Sequence, residues 1–305
     1  DRNAFIKYYT ITMRWLALIS LIVHVYVNYL GYALNVPIVE NVNGVRYYNG
    51  VLFFVFEGYV QGRNTGPFWE PGLFATFLTL ALVMEICFKE NYTKFNVLIY
   101  LLTLLSTQST AGYFMIIFVG LLLLSRKIKG AISILGFFLM VLSIIIAYIN
   151  YEAILLYLVV AFPRVFSKML YQTSSTSDRI ISIVTNLKIF IKHPFLGTGL
   201  GGVDELYSRL TTATQTATSF YFLAAFGIMG MSYLFFWIYA LLKTKRLSIV
   251  TRITLVIMVV LILNKEPHTF FTATYISLFY LLQSIQDQRR TNHEMKQSRM
   301  VRSST

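Results

Sequence analysis

Eight apolar runs, each separated from the next by polar or basic residues, restrict this chain to few architectures. They cover roughly residues 12–34, 72–88, 94–107, 111–125, 130–149, 218–242, 248–263 and 270–285. A helix crosses a bilayer with about 20 mainly apolar residues, and several of the runs reach that length. Hydrophobic residues make up 56% of the 305 and charged residues 13%, about half the charged share of a soluble domain. Mean hydropathy is +0.63. A soluble enzyme and a disordered chain are both excluded. The expected fold class is all-α: a polytopic transmembrane helix bundle of about eight spans with two large external loops. The third and fourth runs are short. The polar Ser106-Thr107-Gln108-Ser109-Thr110 between them predicts a tight hairpin or re-entrant turn.

The formal charge of +13 would point to nucleic acid in a soluble protein. In a membrane protein it first reports sidedness. Placing the N-terminal segment in the cytoplasm puts Arg2, Lys7, Arg14, Lys89, Lys94, Arg126, Lys127 and Lys129 on that side, with Lys243, Lys245, Arg246, Arg252 and the basic tail. Every inside connection is then basic, and the outside is nearly neutral. The excess charge is a topology signal, and no nucleic-acid partner is expected. The expected organisation is a first span within 1–34, an external loop at 35–71 and a four-span bundle at 72–149. A large external loop with an amphipathic helix follows at 150–217, then three spans at 218–285 and a cytoplasmic tail at 286–305. Cys87 is the single cysteine, which excludes an internal disulfide and a multi-thiolate zinc site. The chain begins at Asp1 without a signal peptide, so a C-terminal part of a longer or processed protein is expected.

The two long loops carry the polar chemistry. The first ends Gly62-Arg63-Asn64-Thr65-Gly66-Pro67-Phe68-Trp69-Glu70-Pro71-Gly72, whose glycines and prolines impose an irregular backbone. Arg63 offers a planar fork of donors suited to phosphate; a salt-bridged loop joining Arg63 and Glu70 is the plainer reading. In the second loop Ile180, Ile181, Val184, Leu187 and Ile191 recur at helical spacing. Arg179 opens that helix, with Asp178 or Ser177 as N-cap. It runs into His193-Pro194-Phe195-Leu196-Gly197-Thr198-Gly199-Leu200-Gly201-Gly202. No strand precedes this glycine run, so a dinucleotide site is excluded and a flexible or phosphate-approaching turn is expected. His193 reads as a helix C-cap or, less simply, as a catalytic group. Glu85 beside Lys89 is expected to reach the inner interface. His24 is expected to be packed or hydrogen-bonded, and Lys265-Glu266-Pro267-His268 to form a short external turn, with a place lining the reaction cavity as the less simple reading.

These stretches resemble the O-antigen polymerase and ligase superfamily, the Wzy-type polymerases and O-antigen ligases of bacterial surface polysaccharide assembly. The resemblance rests on Arg63–Gly72, on Arg179 leading into His193-Pro194-Phe195-Leu196-Gly197-Thr198-Gly199, on Ser109-Thr110-Ala111-Gly112-Tyr113, and on Phe226-Gly227-Ile228-Met229-Gly230. It covers about residues 50–240. Arg46 and Gly62 also fit the Arg, fifteen residues, Gly spacing of such polymerases, whereas Arg179 falls two residues off it. Ligases carry a histidine where this chain has Ser219, which favours a polymerase.

The resemblance implies a membrane glycosyltransferase, metal-independent and inverting, of the bacterial inner membrane, with both visible ends cytoplasmic and the large loops periplasmic. Its substrate would be an undecaprenyl-pyrophosphate-linked oligosaccharide within membrane lipid, and a chain-length regulator protein is an expected partner. No cofactor or metal is implied. Negative charge develops on the departing pyrophosphate, and preorganised guanidiniums would stabilise it. Arg63 and Arg179 are the candidates, with Glu70 and His193 as general bases. Arg46, Arg164, Trp69 and Asp178 are candidate substrate-binding positions. Trp69 and the loop tyrosines read equally as an interfacial aromatic belt. A glycan ligase and a transporter or flippase for a lipid-linked oligosaccharide are the alternatives.

Overall fold

The computed structural model describes residues 1–40, 46–56, 62–89, 91–127, 160, 174–244, 247–265, 267–269 and 271–283. The run at 130–149, Arg164 and the tail at 286–305 lie outside the described residues. The protein is mostly helical. Three helical stretches are long and apolar enough to cross a membrane, Arg2–Asn28, Pro71–Phe88 and Thr218–Lys243, beside the shorter apolar helices Lys94–Ser106 and Gly112–Ser125. The chain divides into two compact units, Asp1–Gly136 and Phe137–Thr305.

In the first unit, α1 (Arg2–Asn28) starts ten residues before the apolar run because Asp1 caps it, its carboxylate accepting from the Asn3 N–H at 2.9 Å. Its buried face starts with Ile6 and Met13 and is otherwise small or polar: Thr10, Ala17, Ser20, His24 and Asn28. Such faces let membrane helices approach closely and exchange hydrogen bonds. Tyr100 donates to the Thr10 carbonyl, and Thr103 to the Ala17 carbonyl at 3.4 Å. His24 is packed and bonded, 3.2 Å from the Asn28 amide, as its sequence context predicts. The helix α2 (Pro71–Val83) is apolar on every side and accordingly buried on every side. It packs against α1, α3 (Lys94–Ser106) and α4 (Thr110–Lys127). A turn of π-helix, Met84–Phe88, prolongs it and turns Glu85 inward.

Glu85 therefore does not reach the interface. It is fully buried, binding Lys89 Nζ at 2.6 Å, the Thr93 N–H at 2.8 Å and Asn96 Nδ2 at 3.2 Å. The carboxylate neutralises a lysine and caps α3, satisfying orphan donors at that helix start. The expectation of a helical fold holds, with one addition. The first loop holds an antiparallel meander of β1 (Ile38–Glu40), β2 (Arg46–Asn49) and β3 (Phe54–Phe56). β-branched residues in β1, tyrosines in β2 and Phe-Val-Phe in β3 build it, with Tyr47 packed against Phe56 across the strands.

From residue 174 to residue 244 the second unit is described continuously, starting with α5 (Ser174–Lys192). Ser177 and Asp178 thus lie inside the helix and are not its N-cap; the serines and threonines before them extend it by a turn. A helix that the glycine run concealed, α6 (Gly199–Leu210), follows, so Gly199, Gly201 and Gly202 open a helix and do not form a flexible turn. Then come α7 (Thr218–Phe226), a 3₁₀ turn (Gly227–Gly230), α8 (Met231–Lys243), α9 (Ile249–Lys265) and α10 (272–283). Ile189, Val203, Tyr207, Tyr221, Phe222, Ala224 and Ala225 form the core that joins α5, α6 and α7.

The Thr218–Lys243 stretch is broken at Gly227, whose φ is +61°. An unbroken α-helix would bond the Ile228 N–H to the Ala224 carbonyl. Here the preceding loop takes both halves of that bond: Pro194 O accepts from Ile228 N at 2.8 Å, and Thr198 N donates to Ala224 O at 3.2 Å. The loop enters so closely that a Cβ on Gly197 would overlap the Ala225 carbonyl and one on Gly227 the Phe195 carbonyl. Gly197→Ala and Gly227→Ala should each lower thermal stability in detergent by clearly more than Gly201→Ala. Gly201 is helical with open space around it, so an alanine there should be neutral or stabilising by about 0.5–1 kcal/mol.

Candidate functional site

In the first unit the Gly62–Pro71 loop closes over the ends of α1 and α3. Asn64, passed over in the sequence, is its hub. Its side chain is 3% exposed and donates to Ser106 Oγ at 2.9 Å and Ser20 Oγ at 3.3 Å, while its Oδ1 accepts from the Gly66 N–H at 3.0 Å. The last bond is an Asx turn, and Asn two residues before Gly was the signal that could have found it. The Asn64 N–H donates to Ser106 O at 3.0 Å, and Thr65 donates to the Phe54 carbonyl. Gly66 holds φ +55° where a Cβ would overlap the Phe74 ring, and Phe68 stacks flat on Phe77 at 4.8 Å.

Arg63 sits in this frame and donates from Nε to the Thr107 carbonyl at 3.3 Å. Thr107 ends α3 in the polar turn, whose Gln108 in return donates to the Gly62 carbonyl at 3.1 Å. The turn is as tight as the sequence predicts. The salt-bridged loop is not formed: among the described residues Glu70 has no ion pair with Arg63. Glu70 is the residue before Pro71, extended at φ −138°, and caps α2 by position without using its carboxylate. Arg46 pairs in register with Glu40 across β1 and β2, a cross-strand arrangement of opposite charges. Trp69 is 57% exposed, and its carbonyl accepts from Tyr47 Oη at 3.2 Å.

In the second unit Arg179 lies in the second turn of α5 and donates from Nε to the Lys265 carbonyl at 3.4 Å, at the end of α9. Lys265 is 7% exposed and His268 1%. The His268 N–H donates to Thr218 Oγ1 at 2.7 Å, and its Nδ1 lies 3.3 Å from Thr274 Oγ1. Arg179, Lys265 and His268 therefore meet at the head of α7; the sequence placed them in two separate external segments, the large loop and a short turn between the last two spans. Beside them Ser182, Asn186 and Gln215 form a closed amide and hydroxyl network, with Asn186 Nδ2 to Gln215 Oε1 at 2.8 Å and the return bond at 3.0 Å. Burial raises the Tyr207 phenol; a bond to Ser182 opposes this, and the Asp178 charge adds to it. His193 is exposed at the end of α5, its N–H bonded to the Ile189 and Phe190 carbonyls. It is the C-cap of the plainer reading. Among the described residues no three His, Cys, Asp or Glu side chains gather as metal ligands.

Burial first, and the Lys265 charge second, hold His268 down to about 4. An unfolded imidazole titrates near 6.5. The folded value is the lower one, so unfolding takes up a proton between those two pH values. The stabilisation is complete above about pH 6.5 and is lost as pH falls toward 4, a decline of roughly 3 kcal/mol. Thermal unfolding in detergent at pH 7 and pH 4.5 should show this decline in the native chain and a weaker one in His268→Asn.

No protein-family model matches the chain, and no curated protein or solved structure matches it either.

Proposed function

We propose that the protein is a membrane glycosyltransferase that polymerises polyprenyl-pyrophosphate-linked oligosaccharide repeat units into a surface polysaccharide. In this reading the chain has about eight spans in the bacterial inner membrane, both visible ends in the cytoplasm and its large loops outside. The observation that carries the reading is the convergence of Arg179, Lys265 and His268 at the head of a helix long enough to cross a membrane. Two cations there supply what a departing pyrophosphate needs. His268, kept neutral at physiological pH, adds a hydrogen-bonding group without another charge.

The reaction is an inverting displacement. A hydroxyl of one glycan attacks the anomeric carbon of another, the bond from that carbon to the pyrophosphate oxygen breaks, and the electron pair leaves with the pyrophosphate. The hydroxyl proton passes to a general base. Arg179 is held at one nitrogen by the Lys265 carbonyl, so its orientation is fixed before substrate arrives, as electrostatic stabilisation requires. Arg63 is held in the same way by Thr107. A second reading, a transporter for the lipid-linked oligosaccharide, is favoured by the broken helix at Gly227–Gly230, since transporters bind substrate at discontinuous helices. The charges, however, cluster at a helix head and not at the break.

Deleting the gene and restoring it with Arg179→Ala should reduce the surface glycan to a single repeat unit, a loss of about 10²–10³ in rate. Arg63→Ala should act in the same direction. Arg179→Lys should recover part of the activity, because it keeps the charge and loses the fork. Full-length polymer from both alanine variants overturns the assignment. Lipid-linked units trapped on the cytoplasmic face after deletion favour the transporter, and full-length carrier-bound glycan that is never transferred favours a ligase.

A further inference from the structure

The helix α5 is inside out. Along its length Ile180, Val184, Leu187 and Ile191 recur at helical spacing, the stripe that a soluble helix turns to its core. Here Ile180 is 59% exposed, Val184 42% and Ile191 71%, and Leu187 is half-buried. The buried side carries Ser182, Thr185 and Asn186 together with Ile189. The apolar surface continues around the end of the helix into Phe195 and Leu196, 78% and 86% exposed. Lys188 and Lys192, both exposed, flank the stripe.

The depth of this surface is fixed by its neighbour. The Pro194 carbonyl accepts from the Ile228 N–H, so Phe195 and Leu196 stand level with Ile228 on the Thr218–Lys243 stretch. Ile228, Met229 and Met231 are themselves exposed there, and the two apolar surfaces are continuous. Lys243, in the last turn of α8, marks one water boundary of that stretch. At about 1.5 Å per residue the helix from Ile228 to Lys243 covers roughly 22 Å, against a hydrocarbon layer of about 30 Å. The Phe195-Leu196 turn then falls about 8 Å below the opposite boundary, within the 5–10 Å depth at which amphipathic helices lodge.

We propose that α5 runs beside α7 into the leaflet of the bilayer, with Leu187, Ile191 and the Phe195-Leu196 turn against acyl chains, the Ser182 end at the headgroups, and Lys188 and Lys192 extended toward the phosphates. The partner is a phospholipid surface. The inference needs no turnover and is independent of the glycosyltransferase reading. Nitroxide spin labels placed at Leu187→Cys, Ile191→Cys and Leu196→Cys in the full chain carrying Cys87→Ser test it, after reconstitution in phosphatidylethanolamine and phosphatidylglycerol vesicles. Oxygen should collide with these three labels more often than a water-soluble nickel chelate does. A label at Ser208→Cys, on an exposed position of α6, should show the reverse. Nickel collisions that dominate at all four sites would place α5 in water and overturn the proposal. Labels at the three sites shielded from both reagents would mean that protein covers the stripe, which overturns it equally.

Discussion

Backbone polar groups inside a bilayer must be paired within the protein, because hydrocarbon offers no partners. The second unit depends on how this is met at one place. Breaking a helix at Gly227 orphans a donor on Ile228 and an acceptor on Ala224. The Pro194–Thr198 turn supplies the two missing partners, four residues apart in its own sequence as the two orphans are in theirs. Neither glycine is optional in that exchange. Gly227 adopts the left-handed backbone that opens the helix, and Gly197 leaves the room for two main chains to touch. The break and the loop exist only together, which binds α5 and α6 to the membrane-crossing stretch.

A related solution recurs with arginine. Helix C-termini leave carbonyls without intrahelical donors, and cationic side chains serve them well. Arg63 donates to Thr107 at the end of α3, Arg179 to Lys265 at the end of α9, and Arg252 to the Leu242 carbonyl near the end of α8 at 2.7 Å. Two of these are the arginines that the sequence singles out for chemistry. A structural duty and a catalytic one are compatible here. A guanidinium has five donors in a rigid fork, so anchoring it at Nε fixes the plane in which the rest of the fork points.

Much of the helical frame was legible in the sequence, because hydropathy depends on composition alone and α2, α3 and α4 match their apolar runs closely. The start of α1 was missed because helix formation runs past the apolar segment to a capping aspartate. The meander was hidden because strands of three or four residues carry little periodicity. The helix α6 was hidden because glycines at its first turn read as a loop. At the site, the arginines were legible as residue types and their partners were not. Lys265 lies 86 residues from Arg179 and Thr107 lies 44 from Arg63, distances over which only tertiary folding brings groups together. Asn64 was legible in principle, since its turn is local, but its bonds to Ser20 and Ser106 are not.

The polarity of α5 joins these strands of argument. Turning Ser182 and Asn186 toward the protein puts Arg179, on the same side of the helix, against the end of α9 at the head of α7. Turning Ile180, Val184 and Ile191 away leaves an apolar face that water would penalise at about 25 cal/mol per Å². A soluble protein would reverse the helix to recover that energy. In a bilayer the apolar face is already solvated, and the energetic demand passes to the polar face, whose groups must find partners in one another, as Ser182, Asn186 and Gln215 do. On the proposed placement the lipid selects the orientation of α5, and that orientation would set Arg179 near the depth of the phospholipid phosphates. On the proposed function, a pyrophosphate attached to a membrane-embedded isoprenoid would sit at that same depth, and one helix orientation would serve both anchoring and recognition.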